Sequence, residues 1–187
     1  AFKHNIPQKE RSVYRDSLSI ASMLHDVGKV GISDLILKKP GRFDDTERNI
    51  IKAHTYICLF LFKGFISGLD KMTLDVALHH HERWDGKGYP GKINKKKITS
   101  PDVILDLQDA PGLSGNEIPL AARIVAVADV FDALSHRRCY KDAWNEEDVL
   151  NELKKQSGTQ FDPEIIDVFF EVYPTIKDIQ NSLPDEE

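Results

Sequence analysis

The chain has 187 residues, of which 41% are hydrophobic and 29% are charged, a composition typical of a globular protein that buries one sizeable core. No apolar run reaches the length of a membrane span and the first residues lack the apolar core of a signal peptide, so we predict a cytoplasmic protein without a membrane span. The net charge of −5 gives no general reason to expect a nucleic-acid polymer as partner. Because Cys58 and Cys139 form no CxxC motif, any metal site must use nitrogen and oxygen ligands.

Apolar residues recur at helical spacing along most of the chain, which predicts an all-α fold. Asp44 followed by Glu47 is a capping-box pattern, and Asp162–Pro163 is an N-cap with a first-turn proline. Residues 91–112 interrupt the pattern with a lysine triplet, two prolines and a β-prone stretch, which predicts a long loop or a small hairpin. We expect helices from about Val13 to near Gly28, from Asp44 past Ile57, from about Lys71 to His81, from Pro119 to Leu134, from about Glu146 to Gly158 and from Pro163 onward.

Several of these helices carry polar residues where the apolar pattern predicts core. A buried, ionised carboxylate is costly unless it is paired or ligates a metal. Each position alone also fits a hydrogen-bonded core residue or a solvated surface run, but their recurrence in four helices favours a metal site. Imidazole and carboxylate ligands without thiolate suit iron, manganese or zinc. The residues concerned are His25, Asp26, His54, His80, His81 and Asp129.

Five sequence blocks, in this order, resemble those of the HD-GYP domain, a subgroup of HD-superfamily phosphohydrolases that cleaves cyclic dinucleotides. The resemblance covers nearly the whole chain, and it implies a single HD-GYP domain over residues 1–187 with an HD-superfamily helical bundle. Residues from about 91 to 110 depart from the family as an inserted loop or small hairpin after the GYP segment. The blocks are HDVGKVGISD at 25–34, KKPGRF at 38–43, HHERWDGKGYP at 80–90, IPLAARIVAVADVFDALSHRRCYKDAW at 118–144 and GTQFDPEII at 158–166.

The resemblance also implies an activity, namely metal-dependent hydrolysis of the 3′,5′ phosphodiester bonds of a cyclic dinucleotide to linear products. Such an enzyme serves bacterial second-messenger signalling. Cyclic di-GMP is the favoured substrate and 3′,3′-cyclic GMP-AMP the next. The alternative is a non-catalytic module that senses a nucleotide or binds a signalling protein through the GYP loop, the loop that carries Gly88, Tyr89 and Pro90. Retention of the family's metal ligands favours the enzyme.

Residue roles follow from matching each block to the family pattern. Two or three divalent metal ions, with iron or manganese favoured, are expected on the six residues His25, Asp26, His54, His80, His81 and Asp129. Asp26 matches a bridging carboxylate and Lys29 a catalytic lysine that contacts a substrate phosphate or assists protonation. Further substrate contacts are expected from Gly88, Tyr89, Pro90, Arg138 and Lys141.

Other residues near the motif have less specific roles. His79 is expected to be a neighbour of the ligands rather than a ligand. Asp85 is expected to shape the loop, because Asp-Gly is turn chemistry. Trp84 and Tyr89 fit either stacking on a base or support of the loop.

The chain also departs from the family pattern. Thr55 and Cys58 replace a usual proline and glycine, while Cys139 and Lys141 replace a proline and an arginine. The family's earlier helix, which supplies a further histidine, would precede residue 1, so we expect the chain to be truncated on its N-terminal side. The inserted lysines 95–97 are expected to be solvated.

Overall fold

The computed structural model describes residues 6–64, 67–107, 110–136 and 144–182. These residues contain no strand, only an isolated bridge between Ser157 and Phe161, so the all-α prediction is confirmed. Within the same ranges no helix is both long and apolar enough to cross a membrane. The α-helices are α1 (Arg11–Met23), α2 (Asp34–Leu37), α3 (Asp45–Lys52), α4 (His54–Leu61), α5 (Gly68–His79), α6 (Leu120–Ser135), α7 (Glu146–Lys155) and α8 (Pro163–Ser182).

Capping side chains set several helix starts. Asp44 and Glu47 form the predicted capping box at the start of α3, with both N–H···O distances at 2.9 Å. Asp162 caps α8 by accepting a hydrogen bond from the Glu164 N–H at 2.9 Å. Helix α5 begins earlier than predicted, at Gly68, because Ser67 and Asp70 form a second capping box.

The single helix predicted through His54 is wrong, because the chain forms two helices that meet at Ala53. The backbone carbonyls at the junction are engaged by side chains. His54 Nδ1 lies 2.6 Å from the Ile51 carbonyl, and the Thr55 hydroxyl donates to the Lys52 carbonyl at 2.8 Å. Such local side-chain bonds compete with the regular helix ladder, and here they accompany a helix boundary directly before His54.

Three groups of buried apolar residues hold the helices together. One lies between α3, α4 and α5 and includes Tyr56 and Leu78. Another joins α6, α7 and α8 around Phe131 and Leu153. A smaller group joins α1, α5 and α6 through Ala21, Val76, Ala121 and Val125, so α6 takes part in two of the groups.

The insertion after the GYP segment packs against α4. The hairpin alternative is wrong for the described residues, where the insertion contains no strand and only a 3-10 turn at Lys95–Lys97. Ile98 and Leu107 are buried in the α3–α5 core, and the Leu105 N–H donates to the Tyr56 hydroxyl at 2.9 Å instead of to a partner strand. The three lysines are exposed, as predicted.

A close backbone approach joins the end of α1 to the start of α4. After α1, the chain turns into a 3-10 helix at Val27–Gly31. A Cβ atom at Gly28 would lie 1.8 Å from the backbone oxygen of His54, so only glycine permits this contact. The approach brings Asp26, two residues before Gly28, next to His54.

Candidate metal centre

The six side chains expected to bind metal converge around the carboxylate of Asp26. Its Oδ1 atom lies 3.3 Å from His54 Nε2 and 3.8 Å from His80 Nε2, and its Oδ2 atom lies 3.3 Å from His25 Nε2. Ligand atoms of Asp26, His54, His80 and His81 all lie within 4.8 Å of one another. On the other side, Asp129 Oδ1 is 3.7 Å from His25 Nε2. Residues from α4, α6 and the ends of α1 and α5 therefore share one site.

The tandem histidines reach this site because α5 ends between His79 and His80. On a continuous helix, neighbouring side chains point about 100° apart. Here His80 is the C-cap residue and His81 lies in the following turn. Their ring centroids are 4.0 Å apart, and the His81 ring also lies 5.2 Å from that of His54. His79 points instead toward Glu82, with Nδ1 3.6 Å from the carboxylate, which agrees with its expected role as a neighbour of the ligands.

Backbone carbonyls orient three of the rings. Nδ1 of His25 lies 2.6 Å from the Ser22 carbonyl, Nδ1 of His54 2.6 Å from the Ile51 carbonyl, and Nδ1 of His80 3.1 Å from the Val76 and Ala77 carbonyls. A carbonyl only accepts hydrogen bonds, so each Nδ1 carries the proton. In the neutral ring, Nε2 then presents its lone pair to the site, which is the arrangement usual for metal-ligating histidines.

Three buried polar atoms face one another in the site without a hydrogen bond to any described residue. They are Asp26 Oδ1, His54 Nε2 and His80 Nε2. Buried polar atoms are nearly always hydrogen-bonded, so such exceptions need a physical explanation. Imidazole nitrogens and a carboxylate oxygen are ligands for iron, manganese or zinc. The residues present therefore fit a divalent metal ion, which would satisfy all three atoms at once.

The charge states also suit metal binding. Burial and the neighbouring histidines lower the pKa of His80 to about 4 and that of His81 to about 2, and burial lowers the pKa of His54. Burial would raise the pKa of Asp26, but His25 and Lys29 outweigh it and hold the pKa well below its usual range. At neutral pH, these three rings are thus neutral and the carboxylate is ionised. These are the protonation states that metal ligands require.

Hydrogen bonds between its own residues stabilise the loop that follows the histidines. Asp85 accepts hydrogen bonds from Arg83 at 2.9 and 3.1 Å and from the Lys87 N–H at 3.1 Å, so it shapes the loop as predicted. The Tyr89 ring stacks on His81, with centroids 4.8 Å apart and an interplanar angle of 28°. The ring thus contacts the histidine cluster, and both alternatives for Tyr89, stacking on a base or support of the loop, stay predictions. Lys52 Nζ lies 5.3 Å from the same ring.

The predicted phosphate contacts are described only in part. Lys29 Nζ lies 2.6 Å from Asp26 Oδ2, so this lysine is at the edge of the cluster and paired with the expected bridging carboxylate. Gly88 and Pro90 flank Tyr89 in the loop. Arg138 and Lys141 lie outside the described residues. Roles in substrate binding stay predictions for these residues and for Tyr89.

Two buried carboxylates make contacts that were not predicted from the sequence. Glu82 accepts backbone N–H bonds under the loop. Asp162, predicted only as a helix cap, also forms an ion pair of 2.6 Å with Arg123. The only sequence signal for Glu82 was its position directly after the tandem histidines. Arg123 was not singled out, although it is a charged residue within the apolar stretch 118–134.

Comparison with known proteins places the chain in a family. The family model described as HD domain matches residues 6–134, and a second model of that description matches residues 108–165. A Vibrio cholerae protein named 3'3'-cGAMP-specific phosphodiesterase 2 is 38% identical over 91% of this chain and 29% of its own length. A Thermotoga maritima cyclic di-GMP phosphodiesterase is 36% identical over 94% of this chain and 42% of its own length.

A third relative is a cyclic di-GMP phosphodiesterase response regulator of Xanthomonas campestris, which is 41% identical over 80% of this chain and 34% of its own length. The chain thus spans between 29% and 42% of the length of these three relatives. The match to the HD domain model covers more than half of the chain, and the GYP segment lies directly beside the histidine cluster. The chain therefore belongs to the HD domain family, in its HD-GYP subgroup.

Proposed function

We propose that this chain is a metal-dependent phosphodiesterase that hydrolyses the 3′,5′ phosphodiester bonds of a cyclic dinucleotide to linear products. The observation that carries the proposal is the convergence of unpaired, buried ligand atoms from Asp26, His54 and His80. The names of the relatives, which specify cyclic di-GMP or cyclic GMP-AMP, support the same class of substrate.

The residues proposed to hold two or three divalent ions are His25, Asp26, His54, His80, His81 and Asp129. Asp26 is suited to bridge two ions, because Oδ1 faces His54 and His80 while Oδ2 faces His25. When bound, such ions neutralise the anionic oxygens of a phosphodiester and lower the pKa of water, so that a nucleophile exists at neutral pH. Nitrogen and oxygen ligands suit iron, manganese or zinc, and of these we favour iron and manganese, as the resemblance to the HD-GYP family implies.

The protein's own groups would position the substrate and handle charge. Together with His25, Lys29 lowers the pKa of Asp26, whose Oδ2 atom it contacts at 2.6 Å. We propose that Lys29 contacts a substrate phosphate oxygen or protonates the leaving oxygen. We propose that Arg138 and Lys141 contact the substrate phosphates. Gly88, Tyr89 and Pro90, which form the GYP motif, are proposed as further substrate contacts. The Tyr89 ring, stacked on His81, would restrict the orientation of that histidine.

We further propose that residues 1–187 act as one domain, since α6 contributes to both the α6–α8 core and the group shared with α1 and α5.

A cytoplasmic location and a signalling protein partner at the GYP loop stay predictions from the sequence. Cyclic di-GMP is placed ahead of 3′,3′-cyclic GMP-AMP, although the relatives' names include both.

The substrate order is tested by kcat/KM. Metal-loaded protein is incubated with cyclic di-GMP, 3′,3′-cyclic GMP-AMP and cyclic di-AMP, and products are separated by chromatography while metal content is measured on the same sample. We expect linear products, with the highest kcat/KM for cyclic di-GMP. A higher kcat/KM for 3′,3′-cyclic GMP-AMP than for cyclic di-GMP would reverse the order. A protein with an occupied metal site that cleaves none of the three would reject the phosphodiesterase in favour of the binding module.

A further inference from the structure

The buried carboxylate of Glu82, which follows the end of α5, bonds to the backbone at Gly91 and at Leu113, on two segments beside the GYP loop. The Glu82 side chain has 0% of its surface exposed. Its Oε1 atom accepts the Gly91 N–H at 2.6 Å, and its Oε2 atom accepts the Leu113 N–H at 3.1 Å. An ionised carboxylate in such a place is stabilised by hydrogen bonds from fixed N–H donors. Glu82 thus ties together three stretches that are separated in sequence.

The backbone around Glu82 is closely packed at two glycines. A Cβ atom at Gly88 would lie 2.3 Å from the Arg83 nitrogen, and one at Gly112 would lie 2.2 Å from the Gly86 oxygen. The Tyr89 N–H donates to the His81 carbonyl at 3.2 Å. Together with the bonds to Glu82, these contacts define where the Tyr89 ring lies.

The GYP loop meets the histidine cluster at the contact between the Tyr89 and His81 rings. Of the rings near the cluster, those of His25, His54 and His80 are oriented by carbonyls. The His81 ring contacts the rings of His80 and His54, and on the loop side it stacks on Tyr89 at 4.8 Å and 28°. A shift of the GYP loop would therefore remove the one of these three ring contacts that comes from outside the histidine cluster.

We propose that Glu82 is a positioning residue for the metal centre. By accepting hydrogen bonds from the Gly91 and Leu113 N–H groups, it fixes the GYP loop so that Tyr89 packs against His81. This packing keeps the His81 ring in its ligating orientation. The inference rests on the part of the proposed function in which His81 binds metal, and it does not depend on the identity of the substrate. Residues that orient metal ligands typically change metal affinity or activity by about 10–100-fold when substituted.

The test compares Glu82→Gln with a matched control, Glu117→Gln. Glu117 also accepts a backbone N–H, from Ser114 at 3.1 Å, but its side chain is 45% exposed. In Glu82→Gln, the new amide group must face one of two N–H donors, so one hydrogen bond is lost. We expect the affinity of the metal-free protein for Mn²⁺, measured by calorimetry, to fall by about 10–100-fold in Glu82→Gln and to stay unchanged in Glu117→Gln. Wild-type affinity in Glu82→Gln would overturn the proposal.

A second variant separates positioning from a general loss of stability. Tyr89→Leu removes the stacked ring and leaves the Glu82 hydrogen bonds in place, so it should weaken Mn²⁺ binding by a similar factor. The double variant should bind about as weakly as the weaker single variant, because both act through His81. If the two losses multiply, or if Tyr89→Leu binds like wild type, the proposal is wrong.

The readout also distinguishes this proposal from the proposed function. Mn²⁺ affinity is measured without substrate, so the expected weakening supports a positioning role for Glu82 even if the wild-type protein cleaves no cyclic dinucleotide. If Glu82→Gln does not fold, as judged by circular dichroism, Tyr89→Leu alone decides the outcome by the criterion given above.

Discussion

Asp26 is the residue on which the proposed metal centre depends most. Its two carboxylate oxygens face different histidines, and Lys29 and His25 keep the pKa low against the effect of burial. The sequence indicated its importance, because an acid directly after a histidine at the end of an apolar helix is unusual. It could not indicate which atoms would be left unpaired, since this depends on the approach of α4 and α5 in space.

We predict that Asp26→Ala abolishes hydrolysis with the fold retained. Removal of the carboxylate takes away a ligand that the proposal assigns to two metal ions, so at least one ion should be lost. Metal analysis and hydrolysis of cyclic di-GMP measure the effect, and circular dichroism checks the fold.

The matched control is Asp34→Ala. Asp34 also pairs with a lysine, Lys38, at 2.7 Å, but it is exposed and outside the cluster. This variant should keep wild-type metal content and activity. Wild-type activity in Asp26→Ala would reject the role assigned to Asp26.

At the scale of the elements, the site depends on how closely neighbouring segments approach. The 3-10 helix at Val27–Gly31 contacts the start of α4 through Gly28, and α5 ends where the tandem histidines begin. Glycine, helix ends and capping boxes are visible in a sequence, and the start of α3 was predicted from Asp44 and Glu47. The boundary at Ala53 was missed, because it involves the side chains of His54 and Thr55 bonding to the backbone.

We predict that Gly28→Ala weakens metal binding and destabilises the protein. The added Cβ would meet the backbone oxygen of His54 at 1.8 Å, and a backbone atom cannot move aside as a flexible side chain can. The 3-10 helix must shift and carry Asp26 away from His54. Overpacking of this kind costs about 1–3 kcal/mol.

Gly68→Ala is the matched control, because a Cβ at Gly68 meets no atom within 4 Å. Its free energy of unfolding should be equal to or slightly higher than that of the wild type. Denaturant unfolding and Mn²⁺ titration measure both variants. Equal behaviour of the two alanine variants would show that the close approach at Gly28 does not position the site.

The start of α8 is tied to α6 by the buried ion pair of Arg123 and Asp162. The side chains are only 8% and 2% exposed. Asp162→Ala leaves the Arg123 charge without its carboxylate and removes the cap of α8, so we predict a loss of about 3–5 kcal/mol in the free energy of unfolding. Asn145→Ala, which removes only the exposed cap of α7, should cost about 1 kcal/mol. Urea unfolding distinguishes the two, and similar losses would argue against a buried pair.

At the scale of the whole molecule, the proposed metal centre lies where α1, α4, α5 and α6 meet. The helical class and the identity of the clustered side chains could be predicted, because apolar periodicity and the HD and GYP segments are local patterns. The packing of the insertion on Tyr56 and the role of Glu82 could not be predicted, because both depend on contacts between residues far apart in the chain. A β-prone stretch such as residues 103–105 favours a strand only when a partner strand is present.

The most direct test of the account is removal and return of the metal in a single preparation. Purified protein is stripped with a chelator, reloaded with Mn²⁺, and followed at each stage by metal analysis, thermal unfolding and chromatography of cyclic di-GMP. If ions bind the folded cluster as proposed, stripping should lower the unfolding temperature and stop hydrolysis, and reloading should restore both. Undiminished hydrolysis by metal-free protein, or reloaded protein with a full site and no hydrolysis, would contradict the account.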